Sequence, residues 1–277
     1  MPKGGAPREL WYTQKSCFSP NSQLSFKIKK VLHREKSQYQ TIEVIDTYDF
    51  GRMLILDGAV MVTERDEFAY HEMLVHPAMV VHPDPKRIAV IGGGDGGTVR
   101  EILKYRVDEI KLIDIDKRVT DVSNEYFPEL TKGLKDQRVE IINTDGALWV
   151  KREKSKFDII FVDSTDPIGP GARLVEDDFL KAGANLLNSY GIWVAQSETP
   201  FFIPDFVKGY NKKLKKLFKI VKTYLSEVPS YSGVWSFTFA SQKINPLVPQ
   251  RTPPTGLKYY NPDIHLACFA LPQYLKD

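Results

Sequence analysis

Two textures of apolar and polar positions divide the chain. From Leu24 to Val62 the apolar residues come in short runs with a two-residue period, as in Leu24-Ser25-Phe26-Lys27-Ile28, then Tyr39–Ile45, then Arg52–Leu56. Such alternation predicts half-buried strands. Turn signals separate the runs at Tyr48-Asp49-Phe50-Gly51 and at Asp57-Gly58, the latter suited to a tight hairpin. The expectation is a small antiparallel sheet. Glu67–Val81 then follows a helical pattern, and His82-Pro83-Asp84-Pro85 closes it, because proline lacks the backbone N–H a helix needs.

After Pro85 apolar strands alternate with amphipathic helices. Strands are predicted at Arg87–Ile91, Glu109–Ile115, Val139–Asn143, Phe157–Asp163, Gly191–Gln196 and Ile220–Leu225. Helices are predicted between them, among them Val99–Tyr105, Lys117–Phe127 and Phe206–Phe218. Parallel strands need crossover helices, so this order predicts an α/β fold, a Rossmann-like, mostly parallel twisted sheet with helices on both faces. Val234–Ala240 reads as one more strand, antiparallel to its predecessor. Residues 1–66 are expected to form an N-terminal β domain and residues 67–277 the Rossmann-like catalytic domain.

Composition narrows the function. The 277 residues carry 38 Lys+Arg against 35 Asp+Glu, a net charge of +3, which argues against a strongly basic nucleic-acid binder. Cys17 and Cys268 are the two cysteines, too few for a disulfide framework, and no Cys-x-x-Cys is present for zinc. No 18-residue apolar run occurs, and Met1–Leu10 lacks an apolar leader core. A soluble, cytoplasmic protein with neither membrane nor nucleic-acid partner is expected.

The first chemical signal is Gly92-x-Gly94-x-x-Gly97, which follows a buried strand and opens a helix. That turn lets backbone approach a nucleoside, and Asp114, twenty residues on, stands where an acid grips ribose hydroxyls. Asp95 lies inside the turn. Beside a pyrophosphate it would cost about 4 kcal/mol at 4 Å and an effective dielectric near 20. A dinucleotide is therefore disfavoured, and a cationic adenosine derivative, a sulfonium carrying an ammonium, is favoured. Later strands end in Asp145-Gly146, in Asp163-Ser164-Thr165-Asp166 and in Gln196-Ser197-Glu198. Each acid alone would suit a helix N-cap. Together, Asp95, Asp114, Asp145, Asp163, Asp166 and Glu198 gather at the carboxyl edge of the sheet, where open α/β folds bind ligands. So acidic a mouth suits a substrate with several positive charges.

At Asp163-Ser164-Thr165-Asp166-Pro167-Ile168-Gly169-Pro170 and Gly92–Gly97 the chain resembles the polyamine aminopropyltransferases, the spermidine synthases in particular. The resemblance extends over Leu10-Trp11-Tyr12-Thr13, Leu56-Asp57-Gly58 and Thr63-Glu64-Arg65-Asp66-Glu67-Phe68-Ala69-Tyr70-His71-Glu72. It continues in Pro229-Ser230-Tyr231-Ser232-Gly233-Val234-Trp235 and Leu257-Lys258-Tyr259-Tyr260-Asn261. It implies a fold of the class I methyltransferase type and transfer of an aminopropyl group from decarboxylated S-adenosylmethionine, a co-substrate rather than a cofactor, to a diamine. Putrescine is the default acceptor, and cadaverine, agmatine and spermidine are alternatives. Asp163 would take the amine proton, helped by Tyr70 or a water. Gln40, Gly92, Gly94, Asp95, Asp114, Asp145 and Gly146 would contact the donor. Tyr70, His71, Asp163, Asp166, Gln196 and Tyr231 would line the acceptor channel, and Asp166–Phe179 would form a gating loop. A homodimer or homotetramer is implied.

Two departures from the family pattern stand out: Asp114 where Glu is usual, and Arg173 in the gating loop. Other features read as structural. His71 and His76 are five residues apart and miss the four-residue zinc spacing, so no metal site is expected. Lys208, Lys212, Lys213, Lys215, Lys216 and Lys219 read as a solvated helix face, Trp193, Tyr259 and Tyr260 as core or interface aromatics. Neither cysteine has an evident activating partner. The rival readings are an S-adenosylmethionine-dependent methyltransferase on the same fold, which Asp95 opposes, and a non-catalytic polyamine-binding protein.

Overall fold

The computed structural model describes residues 9–15, 19, 21–167 and 169–276, so Cys17 and Ile168 lie outside the described residues. The chain divides between Asp66 and Glu67 into two units. In the first, β1 (Leu10–Lys15), β2 (Gln23–Lys36), β3 (Thr41–Thr47), β4 (Arg52–Leu56) and β5 (Ala59–Thr63) pair in that order as an antiparallel meander. Alternate residues such as Ile42 and Val44 are fully buried. Asp57 (φ 47°) and Gly58 (φ 87°) both take the left-handed backbone that a two-residue hairpin between Leu56 and Ala59 requires. β2 runs on to Lys36, beyond the predicted alternation, where charged side chains conceal the period.

The second unit holds a seven-stranded sheet. Its strands are β6 (Arg87–Gly92), β7 (Glu109–Asp114), β8 (Val139–Asn143), β9 (Phe157–Asp163), β10 (Leu187–Gln196), β11 (Ile220–Val228) and β12 (Gly233–Ser241), in the order β11-β12-β10-β9-β6-β7-β8. β6 through β10 are parallel. β12 inserts antiparallel between β10 and β11, which confirms Val234–Ala240 as a strand. This is the Rossmann-like, methyltransferase-type arrangement.

Helices lie on both faces: α1 (Glu67–Val81), α2 (Gly97–Ile102), α3 (Lys117–Tyr126), α4 (Pro128–Thr131), α5 (Gly146–Arg152), α6 (Asp177–Asn185), α7 (Pro204–Lys215) and α8 (Pro262–Ala267). α2 stops three residues before the predicted Tyr105, and α7 starts two residues early with Pro204 at its first position, where a missing N–H costs nothing. Successive side chains on each parallel strand enter different cores. Ile88, Val90, Ile159 and Phe161 pack with α1 and α2, while Ala89, Ile91, Ile160 and Val162 pack with α5, α6 and α7. Burial on both faces explains why these strands read as unbroken apolar runs.

α1 is unusual in that every residue from Ala69 to Val81 is buried, as expected of a helix enclosed on all sides. Pro77 lies within it and cannot donate to the carbonyl of Met73. The hydroxyl of fully buried Tyr224, on β11, donates to that carbonyl instead (2.9 Å). One strand residue thus satisfies the acceptor that proline orphans. Glu72, on the same helix, accepts the backbone N–H groups of Lys258, Tyr259 and Tyr260 (2.8–2.9 Å) and so pins the Leu257–Asn261 motif. Among the described residues no helix is long and apolar enough to cross a membrane.

Tyr224→Phe keeps the ring packing and leaves the Met73 carbonyl buried without a donor. It is expected to cost about 1–3 kcal/mol. Urea denaturation should show a lower midpoint with an unchanged slope.

Candidate active site

Strand order reverses between β6 and β9, and at that switch point the carboxyl ends of two neighbouring strands open a crevice. Gly92 pairs with Asp163 across it. Gly92 has φ 84°, and a side chain there would collide with the Asp163 carbonyl, so only glycine brings the turn this close. The turn that follows is held by carboxylates. Asp114 accepts the N–H groups of Gly94 (3.0 Å) and Asp116 (2.8 Å), and Asp95 accepts that of Gly97 (2.7 Å). Burial nevertheless raises the Asp114 carboxyl to about 6.

Asp163 is the centre of the buried cluster. Its Oδ1 accepts from the Tyr70 hydroxyl (2.7 Å) and its Oδ2 from the Thr98 hydroxyl (2.6 Å), so both oxygens are fixed. Burial and the charge of Asp95 push its pKa up, against the hydroxyls and His71. Tyr70 stays a phenol, because burial and the facing Asp163 raise it well above its ordinary value. Asp95 is drawn the other way: burial would raise it, but the adjacent His71 outweighs burial and holds it ionised.

His71 is 2 % exposed and spans two carboxylates, with Nδ1 on Glu67 (2.8 Å) and Nε2 on Asp95 (3.3 Å). Burial would discharge it, yet Asp95 and Glu67 prevail and raise it to about 10. The ring is an imidazolium. A side chain on Gly97 would strike this ring, which gives that glycine a steric reason of its own. His71, Asp95 and Asp163 offer atoms within 4.8 Å of one another, but a metal requires an unprotonated imidazole, and this one donates to carboxylates on both sides. His76 is engaged elsewhere, with Tyr105 (2.8 Å) and Glu101 (2.9 Å).

A second group gathers at the end of β10. Gln196 donates to the Ser164 carbonyl (3.2 Å) and to Glu198 (2.9 Å). Glu198 is fully buried in a left-handed conformation (φ 69°), and burial together with the charge of Asp166 raises it to about 8. Tyr231 packs edge-on against Tyr70 and Trp235. At the end of β8, Asp145 caps α5 through the N–H groups of Ala147 (2.7 Å) and Leu148 (3.2 Å), and Gly146 begins that helix. Arg173, the cation in the gating segment, pairs with Asp145 at 2.5 Å.

The larger unit therefore brings together Asp163, Tyr70, His71 and Asp95, and separately Gln196, Glu198 and Asp166, with Asp114, Asp145, Gly92, Gly94 and Gly146 at neighbouring strand ends. Gln40 belongs to the other unit, in the turn between β2 and β3, where its N–H donates to the Ser37 hydroxyl (3.1 Å). Sequence reasoning missed Thr98, Glu67 and Arg100 and gave Glu198 no specific role. Glu67 was signalled by its four-residue offset from His71, whereas Arg100 had no signal. Cys268 is buried, which raises its thiol to about 12 and makes it a poor nucleophile.

The His71 cation has a thermodynamic consequence. Its ordinary pKa is 6.5 and its folded value about 10, so between them the folded state holds a proton that the unfolded chain has lost. Stability is then fully present below about 6.5 and declines as pH rises toward 10. Denaturant midpoints measured at about pH 7 and about pH 9.5 should show this fall, and His71→Gln should flatten it.

Comparison with known proteins bears on this geometry. The profile of the spermine/spermidine synthase domain matches residues 67–250, and that of the spermidine synthase tetramerisation domain matches residues 10–64. The polyamine aminopropyltransferase of Caldicellulosiruptor bescii is 45 % identical over 98 % of this chain and 99 % of its own. A crystal structure of spermidine synthase in complex with the transition-state analogue AdoDATO superposes with a TM-score of 0.93 at 38 % identity, covering 99 % of this chain and 97 % of that one. Spermidine synthase from Thermotoga maritima gives a TM-score of 0.91, also at 38 % identity, over 99 % and 96 % of the two chains. With both units matched, the chain belongs to the spermine/spermidine synthase family of polyamine aminopropyltransferases.

Proposed function

We propose that this enzyme transfers the aminopropyl group of decarboxylated S-adenosylmethionine to putrescine, giving spermidine and 5′-methylthioadenosine. The observation that carries the reading is Asp163, a buried carboxylate fixed at both oxygens beside a second, ionised carboxylate, Asp95. A neutral amine nitrogen attacks the carbon attached to the sulfonium in line with the departing sulfur. The C–N bond forms as the C–S bond breaks, and its electron pair returns to sulfur as a thioether. The proton shed by the amine goes to Asp163. Its raised pKa makes it a better base than an ordinary aspartate, and the two hydroxyls hold it in place.

The remaining roles follow the resemblance. Gly92, Gly94, Asp95, Asp114, Asp145 and Gly146 contact the donor, Asp114 through the ribose. Tyr70, His71, Asp166, Gln196 and Tyr231 line the acceptor channel, where the two acids Asp166 and Glu198 suit a distal ammonium. No cofactor is required, since the sulfonium supplies the leaving group. The reading includes a homodimer or homotetramer and a cytoplasmic location. Support for assembly comes from the tetramerisation-domain match and from Trp11, Val31 and Tyr48, each more than half exposed in that unit.

Mixing donor with putrescine should release methylthioadenosine and spermidine, and binding without release would overturn the proposal. Asp163→Asn should lower turnover about 10²–10⁴-fold with donor affinity retained. Turnover like that of the parent enzyme would refute Asp163 as the proton acceptor. In a competition of putrescine, cadaverine, agmatine and spermidine, mass analysis should show the putrescine product dominant; another dominant product would reassign the acceptor.

A further inference from the structure

Aminopropyl transfer as proposed leaves two buried charges without a task. Glu67 sits in the first turn of α1, and its carboxylate receives both terminal nitrogens of Arg100, on α2, at 2.9 and 2.8 Å. The same carboxylate meets His71 Nδ1 one helical turn away. Behind Arg100 stands Glu101, which accepts its Nε–H (2.9 Å) and is in turn paired with Lys104 (2.6 Å) and His76 (2.9 Å). Charges therefore alternate in sign from Asp95 through His71, Glu67, Arg100 and Glu101 to Lys104, and all but the last lie mostly out of solvent.

We infer that Glu67, clamped by Arg100, is a positioning residue that fixes the His71 ring and keeps it donating from both nitrogens, one of them to Asp95 at the reaction centre. The inference rests on the proposed aminopropyl transfer. A bidentate guanidinium–carboxylate pair has a defined plane, so the Glu67 oxygen facing His71 cannot swing away without breaking two hydrogen bonds. His71 is faced by Glu67 and Tyr70 from α1, by Asp95 from the glycine turn and by Asp163 from β9. Arg100 is linked to it through the shared Glu67 carboxylate.

The chemical result answers a difficulty in the reaction. A pocket of carboxylates captures an ammonium but also stabilises it against losing its proton. An imidazolium on Asp95, within 4.8 Å of Asp163, offsets one of those charges. The incoming amine is then held by Asp163 while being less strongly favoured as a cation, which is the state that must shed a proton to attack. Glu67 raises His71 and is itself held down to about 2, because His71 and Arg100 outweigh its burial. Neither group titrates near neutral pH, so the offset is constant there.

Histidine-selective isotope labelling tests this without substrate, the His71 ring signals being identified by their loss in His71→Gln. In the parent protein the ring should remain doubly protonated above pH 8, consistent with its value of about 10. In Glu67→Gln the midpoint should fall by about 1–2 units, the worth of one charge-assisted hydrogen bond. The pH profile of kcat/KM for the donor should then gain a limb at the new His71 midpoint. Should Glu67→Gln fail to fold, Glu67→Asp serves: the shorter carboxylate withdraws from Nδ1 while its charge remains, giving a smaller fall in the same direction. An ordinary midpoint near 6.5 in the parent protein, or an unmoved midpoint in the folded variant, overturns the inference. Absence of aminopropyl transfer by the parent enzyme would instead overturn the function, since the ring titration is read without it.

Discussion

Like charge crowded at the carboxyl edge of a parallel sheet is the problem this structure solves. Asp95, Asp114, Asp145, Asp163, Asp166 and Glu198 all stand at strand ends or in the turns beyond them. At low effective dielectric such a cluster is self-repelling. Each acid is managed differently. Asp95 has the His71 cation, Asp145 has Arg173, and Asp114 has two backbone N–H groups. Asp163 accepts from the hydroxyls of Tyr70 and Thr98, and Glu198 is raised to about 8 and so keeps its proton at neutral pH.

Helix α1 carries much of this arrangement. Glu67, Tyr70, His71 and Glu72 lie within its first two turns, and enclosure on all sides fixes their directions. The helix tolerates Pro77 because Tyr224 supplies the missing donor, and Glu72 ties it to the segment beyond β12. A shift of this one helix would move Tyr70 off Asp163 and His71 off Asp95 together. Packing and chemistry are therefore coupled through the same few residues.

Much of this was legible in the sequence. The doubly buried strands, the hairpin at Asp57-Gly58 and the antiparallel β12 all follow from periodicity and turn chemistry, since those signals are local. The strand-end acids were visible too, because in an open parallel sheet chain position alone places them at one edge. What could not be read were pairings that depend on three-dimensional packing. Arg100 lies 33 residues from Glu67, Thr98 lies 65 from Asp163, and Arg173 lies 28 from Asp145. The sequence suggested six converging carboxylates, whereas the fold sets Asp95 against His71 and Asp145 against Arg173. The net charge of +3 concealed both the acidic edge and its compensation.

The central claim is that this edge selects an adenosine sulfonium bearing an ammonium and no carboxylate. Isothermal calorimetry with decarboxylated and intact S-adenosylmethionine tests it most directly, because the two ligands differ only in the group that would face Asp95 and Asp163. The account predicts tighter binding of the decarboxylated form by about tenfold or more, the effect of roughly 1.4 kcal/mol of repulsion. Equal or tighter binding of the intact form would contradict it.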